Sequence, residues 1–459
     1  MADGDAPPGN RNTKEPRLKK LLISMLLLVF ASLAIAQEAK AVPDANALAA
    51  DGLTLGEAIR IALANNPAAE RSRSEVDFAE LEVRRARSSI FPQIKVDGRY
   101  TRNDRDVTLD FDGTEVSIMP ADDWSTSIRL SQPVFAGGRE LKAIRQARLA
   151  VEGAEHASRG TEEGVLFDVA TSFLNVVGAE ALVGVEQQNV ELATRARKQA
   201  NDFYEAGEVT RVDVLRSESS IKGAERQLAA ARQTREGAAS LLRLSLGVDV
   251  PIDPESPTLE LPPLPSEQEL IALAEANRPE VRRAAITNQI ATLEVAKQRG
   301  AYLPLITADA SFTQQAAAFP TDQYGALTLN FSVPVFTSGE IPARVAGARA
   351  QERQAELLLD QSRQVVREDV RRALVGLETA RTTLALALEQ RDAAEAEYQQ
   401  IFELYRAQEA TSLDLQSAEN TLAQARRSIV TATLDRDLAE LRVWFATGAL
   451  KEVLLKEIS

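Results

Sequence analysis

The chain has 459 residues, no cysteine, one histidine and a formal net charge of −14. Its Lys and Arg residues are scattered among more numerous acids, which argues against nucleic-acid binding, because that function needs a basic face. The lack of cysteine excludes a disulfide framework, a thiolate metal site and a lipid anchor on a cysteine. We expect the lone His156 to be a surface residue rather than a ligand, and we expect no enzyme and no cofactor.

Residues 1–36 have the pattern of a secretory signal peptide. Cationic residues from Arg11 to Lys20 precede the apolar run Leu21 to Ile35, and the small-residue site at Ala36 follows. An N-terminal membrane anchor is the alternative, although the run is shorter than the roughly 20 residues that span a bilayer. We identify no other apolar run of that length. A mature protein that crosses a membrane would therefore have to use strands.

The chain also contains an internal duplication. The segment Pro133-Val134-Phe135 recurs 201 positions later as Pro334-Val335-Phe336, and this offset holds without a gap as far as Gly247 and its counterpart Gly448. Upstream the offset is 212, so the first copy carries 11 extra residues between Pro92 and Pro133. We predict a first repeat at 37–247, a proline-rich connector at 248–266, a second repeat at 267–448 and a tail at 449–459. Such duplication is typical of two copies of one structural unit packed side by side.

Each repeat begins with two short helices. In the first copy, Thr54 and Glu57 have the spacing of a capping box, and Pro67 opens the second helix, which we expect to end near Ser89. The second copy has the same arrangement, with a helix to Asn277 and another that starts at Pro279.

A two-residue period follows in both copies, with apolar residues alternating with polar ones. It predicts strands at about 93–102 and 124–134 in the first copy and at about 305–314 and 324–334 in the second. We therefore expect four strands in two hairpins. The Asp-rich region from Asn103 to Asp123 is predicted to be the turn of the first hairpin and to hold the extra residues.

The period then becomes helical over very long stretches that are rich in Ala, Arg, Glu, Gln and Leu. The predicted helices are at about 139–206 and 211–246, and at about 340–407 and 411–447. Such lengths exceed the globular norm and favour coiled-coil packing. The fold class is thus mainly α with a small β part.

Strands of about ten residues with one apolar face match transmembrane β-strands. Four strands cannot close a barrel, and an open sheet edge in a bilayer leaves unpaired amides in hydrocarbon. Several chains must then pool their strands, and three chains that supply 12 are the economical solution. A soluble β-subdomain on a coiled coil is the alternative.

From Leu53 to about Gly448 the chain resembles the TolC-like outer-membrane efflux proteins, also called outer membrane factors. The resemblance rests on an ordered set of short motifs: Leu53-Thr54-Leu55, Asn65-Asn66-Pro67, the two Pro-Val-Phe strand exits, and Tyr204-Glu205-Ala206-Gly207 followed by Asp213-Val214-Leu215. It implies a homotrimer with a 12-stranded β-barrel in the outer membrane, continued by an α-helical barrel across the periplasm. It also implies docking to a periplasmic adaptor and an inner-membrane transporter.

The resemblance further implies a gate at the two helix-to-helix turns. Asp414, Asp213 and Tyr405 match gate positions of the family, although each aspartate could instead simply cap its helix. The residues at the turns, Gly207, Glu208, Gln408 and Glu409, are expected to dock the adaptor.

The chain departs from the family pattern at three gate positions, which are Gln408, Ala410 and Ser417. The gate should thus be held by other contacts, for which Arg211 or Arg406 could supply the cation. The sequence therefore predicts a passive outer-membrane channel-tunnel of a tripartite efflux or type I secretion system. The alternative is a periplasmic coiled-coil scaffold that never enters a membrane.

Overall fold

The computed structural model describes residues 53–111, 113–248, 261–317 and 322–457. The predicted signal peptide at 1–36 and most of the proline-rich connector lie outside these residues. Leu261 and Leu264, at the end of the connector, pack against the main hydrophobic core.

Two helices open each repeat. Helix α1 spans Leu55–Asn65 and α2 spans Pro67–Ser88, and the capping box between Thr54 and Glu57 is present. The four strands and two helices that follow are numbered in chain order. They are β1 Gln93–Arg102, β2 Val107–Phe111, β3 Thr114–Met119, β4 Asp122–Ala136, α3 Arg139–Glu205 and α4 Arg211–Leu246.

The second repeat starts with α5, Glu267–Asn277, and α6, Pro279–Arg299. Its remaining elements are β5 Leu305–Gln315, β6 Gln323–Ser332, α7 Glu340–Arg406, α8 Ser412–Thr447 and α9 Leu450–Glu457. Helices α3 and α7 each have 67 residues, which corresponds to about 100 Å at 1.5 Å per residue. The ends of all four long helices lie within one residue of the predicted bounds.

The repeats contribute two strands each to one antiparallel sheet with the order β1-β4-β5-β6. The apolar residues are in register across it: Val96 pairs with Ile128, which pairs with Phe312. Two residues further along the same strands is a second apolar row, which consists of Ile94, Leu130, Ala310 and Leu327. Two successive apolar rows thus run across one face of the sheet.

The first hairpin is longer than predicted. Strands β2 and β3 pair with each other within the region that was expected to be a turn, and β4 begins at Asp122. The described residues therefore contain six strands rather than four. Gly113, in the left-handed region at φ +85°, makes the tight turn, and its N–H donates to Asp110 at 2.8 Å. The extra residues of the first copy form this additional hairpin.

The C-terminal segment is not merely a tail. Residues Leu450–Glu457 form α9, and Ala449, Leu450 and Leu454 are buried in the main core. Lys451 donates to Glu162 of α3 at 2.7 Å. The apolar residues at 449, 450, 453 and 454 have helical spacing, so this element follows from burial of an amphipathic face.

The largest core cluster joins α1, the middle of α3, the ends of α4 and α8, and α9. Its fully buried side chains include Ile59, Leu166, Phe173, Leu242, Leu441 and Leu450. A second cluster lies at the far ends of the long helices and contains Tyr398, Tyr405, Leu415 and Leu422.

One apolar stretch was missed in the sequence. Within the described residues, α3 contains an 18-residue window with a mean hydropathy of 1.5, which is long and apolar enough to cross a membrane. Most apolar residues of the stretch from Val165 to Val176 are buried in the main core, and Phe167 packs against that core while partly buried. The composition of this helix is thus explained by packing between helices.

Gly137 marks the corner where β4 leads into α3. Its φ is +66°, and a Cβ added there would lie 2.1 Å from the carbonyl oxygen of Gly300. Only glycine allows this close approach between the end of the sheet and the second repeat.

Candidate functional site

The two helix-to-helix turns have the same backbone path but different residues. Gly207 and Gln408 both take the left-handed conformation, at φ +79° and +65°. Each turn is closed by an N–H that reaches back to the end of the preceding helix: Glu208 to Phe203 at 2.9 Å, and Glu409 to Leu404 at 2.9 Å. We call these turns with the first turns of α4 and α8 the tips. A glutamine is an uncommon residue for this conformation, so its side chain needs an explanation.

The side chain of Gln408 connects the two tips. Its Nε2 donates to Oε2 of Glu208 at 2.6 Å. All four predicted docking residues, Gly207, Glu208, Gln408 and Glu409, are exposed. The structure thus brings two of them into direct contact across the repeat.

Asp213 and Asp414 occupy equivalent positions in two capping boxes. Oδ2 of Asp213 accepts from the N–H and the hydroxyl of Thr210 at 3.0 and 2.8 Å. Oδ2 of Asp414 accepts from the same groups of Thr411 at 2.9 and 2.6 Å. These bonds lower the pKa of Asp414 below its usual range. Helix capping, which the sequence left as an alternative for both residues, is therefore part of their role.

Asp213 makes a further contact that Asp414 does not share. The hydroxyl of Ser412, at the start of α8, donates to Oδ1 of Asp213 at 2.5 Å. Nη1 of Arg216 donates to Ser412 Oγ at 2.7 Å and lies 3.4 Å from Asp213 Oδ1. The hydrogen bond from Ser412, followed by that from Thr210, lowers the pKa of Asp213. Asp213 is thus a junction between the tips.

The cation at this junction is Arg216, not Arg211 or Arg406 as the sequence suggested. Arg406 instead pairs with Glu403, one turn earlier on α7, at 3.3 Å. Arg216 can reach Ser412 because it lies one turn into α4, on the side that faces α8.

Tyr405 lies in the last turn of α7, next to the tips, and is buried with only 4% of its surface exposed. Its ring lies edge-on to Phe203 with 5.7 Å between the ring centroids. Burial, and to a lesser extent Asp213 and Glu419, raise the pKa of Tyr405. Its position therefore joins the last turns of α3 and α7.

His156 is half-buried on α3, and burial lowers its pKa. Across the described ranges, no group of three or more His, Cys, Asp or Glu residues could hold a metal ion.

Comparison with known proteins gives the family. The model of the outer membrane efflux protein family matches residues 58–248 and 270–449. The chain belongs to this family. It is accordingly an outer-membrane protein that extends into the periplasm, and it is the channel component of an efflux or secretion system.

This outer membrane efflux protein is similar to several relatives over most of their lengths. It is 25% identical over 406 residues to the outer membrane efflux protein BepC of Brucella suis, covering 86% of each chain. It is 21% identical to the outer membrane protein TolC of Escherichia coli, covering 84% of this chain and 80% of that one. In fold it resembles the Campylobacter jejuni CmeC outer membrane channel, with a TM-score of 0.73 and 16% identity over 100% and 97% of the two chains.

Two polar groups of this efflux protein were not found from its sequence. Glu186 of α3 is buried and accepts from Arg427 of α8, with a distance of 3.0 Å to Nη2. Glu419 of α8 is largely enclosed near the tips, and burial raises its pKa to about 7. Its counterpart 201 positions earlier is Glu218, an exposed residue, so the pattern gave no signal that distinguished the two.

Proposed function

We propose that three copies of this outer membrane efflux protein close a 12-stranded barrel that continues into a helical tunnel with a gate at the tips. The observation that carries this proposal is the four-stranded sheet, in which β1 and β6 are the outer strands and one face carries two successive apolar rows.

The two faces of the sheet differ as a barrel wall in a membrane requires. Leu327, Leu329 and Phe331 of β6 are exposed in the single chain, Leu327 to 84%. On the opposite face, Nδ2 of Asn330 donates to Oδ2 of Asp309 at 2.7 Å. An apolar face toward lipid and a hydrogen-bonded polar face toward a water-filled interior explain this alternation.

The outer edges of the sheet demand partners. In hydrocarbon each unpaired backbone group costs several kcal/mol, so a single four-stranded sheet is unstable there. Pairing β6 of one chain with β1 of the next removes all edges when the ring closes. Three chains give 12 strands, within the range of closed membrane barrels that starts at 8.

The tips are the natural place for the gate, because the long helices carry them farthest from the barrel. Asp414 is exposed there and would form a ring of three carboxylates around the axis, which favours cations. Asp213 and Tyr405 would hold the two tips of each chain together behind that ring.

The exposed residues Gly207, Glu208, Gln408 and Glu409 are proposed to dock a periplasmic adaptor, through which an inner-membrane transporter is engaged. The relatives include a pyoverdine export protein and an alkaline protease secretion protein, both of Pseudomonas aeruginosa. Cargo as different as a small molecule and a protein supports a passive conduit whose substrate is chosen by the transporter. We propose no chemistry for the channel itself.

Extraction from membranes tests insertion and separates this function from a periplasmic scaffold. We expect the protein to stay with the outer membrane in high salt and in carbonate, and to be released by detergent. A scaffold held on the surface would be released by carbonate alone, and that result would remove the channel proposal.

Neutralising the two tip aspartates is expected to change ion selectivity. In planar bilayers, Asp213→Asn with Asp414→Asn should reduce cation preference and raise conductance, because a carboxylate ring and a junction are lost together. Acid is expected to change conductance in the same direction as these substitutions, because both aspartates have lowered pKa values. The stabilisation that their ionised carboxylates supply is present above the usual value of 3.8 and disappears as the pH falls through the lower folded-state values. Unchanged selectivity and conductance would exclude both aspartates from the constriction.

A further inference from the structure

Glu419 lies behind the proposed gate, five residues after Asp414 on α8. Its Oε1 atom is buried, and no hydrogen-bond partner is found for it among the described residues. The side chain lines a cavity of about 20 Å³ that it shares with Asp213, Tyr405 and Ser412. It also lines a polar groove of about 270 Å³ between α3, α4 and α8. A carboxyl group therefore lies at the seam between the two repeats.

The equivalent glutamate of the first repeat has a different environment. Glu218, on α4, has half of its side chain exposed and lies 4.0 Å from Arg197. One member of the repeated pair is thus exposed beside a cation, whereas the other has a carboxylate oxygen that is buried without a hydrogen bond. Burial of an ionised carboxylate without such partners is unfavourable, so the neutral form is preferred at Glu419.

Three of the neighbouring arginines already have carboxylate or hydroxyl partners. The groups that face the two cavities are Asp213, Arg216 and Arg226 on α4, Tyr405 on α7 and Arg427 on α8. Tyr398 on α7 also lies within electrostatic range of Glu419. Three further charged groups act on Tyr398 itself: Arg195 of α3, Glu395 of α7 and Arg426 of α8. Arg216 binds Ser412 and Asp213, Arg427 binds Glu186, and Arg426 binds Glu395. Asp213 would repel an ionised Glu419.

Burial raises the pKa of Glu419 to about 7. The pH dependence of helix packing follows from this upward shift of the pKa. Packing of α8 against α3 and α4 is favoured while Glu419 is protonated, and this preference is lost as the pH rises through the folded-state value. An ionised carboxylate would draw water into the polar groove, which already has room for it.

We propose that Glu419 is a gate-positioning residue whose protonation holds the second tip against the first and whose ionisation loosens it. This inference rests on the proposed channel function, since it assigns a proton-linked element to the gate. It differs from the carboxylate ring, because Glu419 acts through helix packing and does not face the conducted ion.

Conductance in planar bilayers across about pH 5.5 to about pH 8.5 tests the inference, with the full chain, Glu419→Gln and the matched control Glu218→Gln. We expect the conductance of the wild-type protein to rise severalfold with a midpoint near 7. Glu419→Gln, a permanently neutral side chain of the same shape, should stay at the low conductance throughout. Glu218→Gln should titrate like the wild type.

A wild-type conductance that is constant over this range would overturn the inference, as would a Glu419→Gln protein that titrates like the wild type. In either case the channel itself would still conduct, so the proposed function would stand. Absence of any conductance from inserted wild-type protein would instead overturn the proposed function, and this inference with it. Glu419→Met supplies a second neutral variant and should behave as Glu419→Gln does.

Discussion

Replacing Leu327 with lysine is expected to prevent assembly in the outer membrane, whereas lysine at the adjacent Thr328 is expected to be tolerated. Leu327 is the fifth residue of the ten in β6 and lies on the apolar face, where it pairs with Ala310. A lysine that faces lipid near the bilayer midplane costs about 2–4 kcal/mol. In a trimer the substitution occurs three times, for about 6–12 kcal/mol in all, which is comparable with the stability of a whole domain.

Thr328 is the matched control because it lies on the opposite face of the same strand. It pairs with Asp309, so a lysine there would have a carboxylate beside it. The measurement is the amount of each variant that resists carbonate extraction from purified outer membranes. Equal amounts of the two variants would mean that the apolar face of the sheet does not contact lipid.

Cutting both side-chain links between the tips is expected to widen the gate. Ser412→Ala removes the hydroxyl that joins Asp213 and Arg216, and Gln408→Gly removes the bond to Glu208. Neither change should harm its helix end, since alanine favours helices and glycine suits φ +65°. Each lost bond is worth about 1 kcal/mol, and the two changes remove three bonds from each chain of a trimer.

A shift of 1.4 kcal/mol changes an equilibrium tenfold, so we expect the double variant to spend at least about tenfold more time in wide states. Single-channel recording at neutral pH would detect this as a higher mean conductance. Arg406→Ala is the control, because Arg406 pairs with Glu403 on its own helix. If the double variant and the control both conduct like the wild type, the contacts between tips do not hold the gate.

Elements that depend on local pattern were predictable from the sequence. The helical period from Arg139 to Glu205 and its copy at Glu340–Arg406 needed only good helix formers and an uninterrupted repeat. The strands followed from alternation, since one apolar face must be buried or meet lipid. The repeat strengthened each prediction, because both copies showed the same order of helical and strand patterns.

Elements in which the two repeats differ in structure were not predictable from the sequence. Among the described residues, strands β2 and β3 occur in the first copy alone, and their Asp-rich sequence was interpreted as a turn. Helix α9 is stabilised by distant parts of α1, α3 and α8, which a local pattern does not reveal.

The candidate site likewise combines contacts that were predictable from the sequence with contacts that were not. The capping roles of Asp213 and Asp414 follow from the spacing of Thr210 and Thr411, and the sequence left that alternative open. The contact of Ser412 with Asp213 joins residues 199 positions apart and depends on how α4 approaches α8. The burial of Glu419 depends on the same approach.

Disulfide cross-linking between β1 and β6 tests directly whether three chains pool their strands in one barrel. The chain has no cysteine of its own, so one cysteine introduced in each strand, at successive registers, gives an unambiguous bond. Within one chain β1 and β6 are separated by three strand spacings, about 14 Å, which is too far for a disulfide. We expect covalent dimers and trimers that end at three chains in the outer membrane. Products that extend beyond three chains, or no bond at any register, would contradict that expectation.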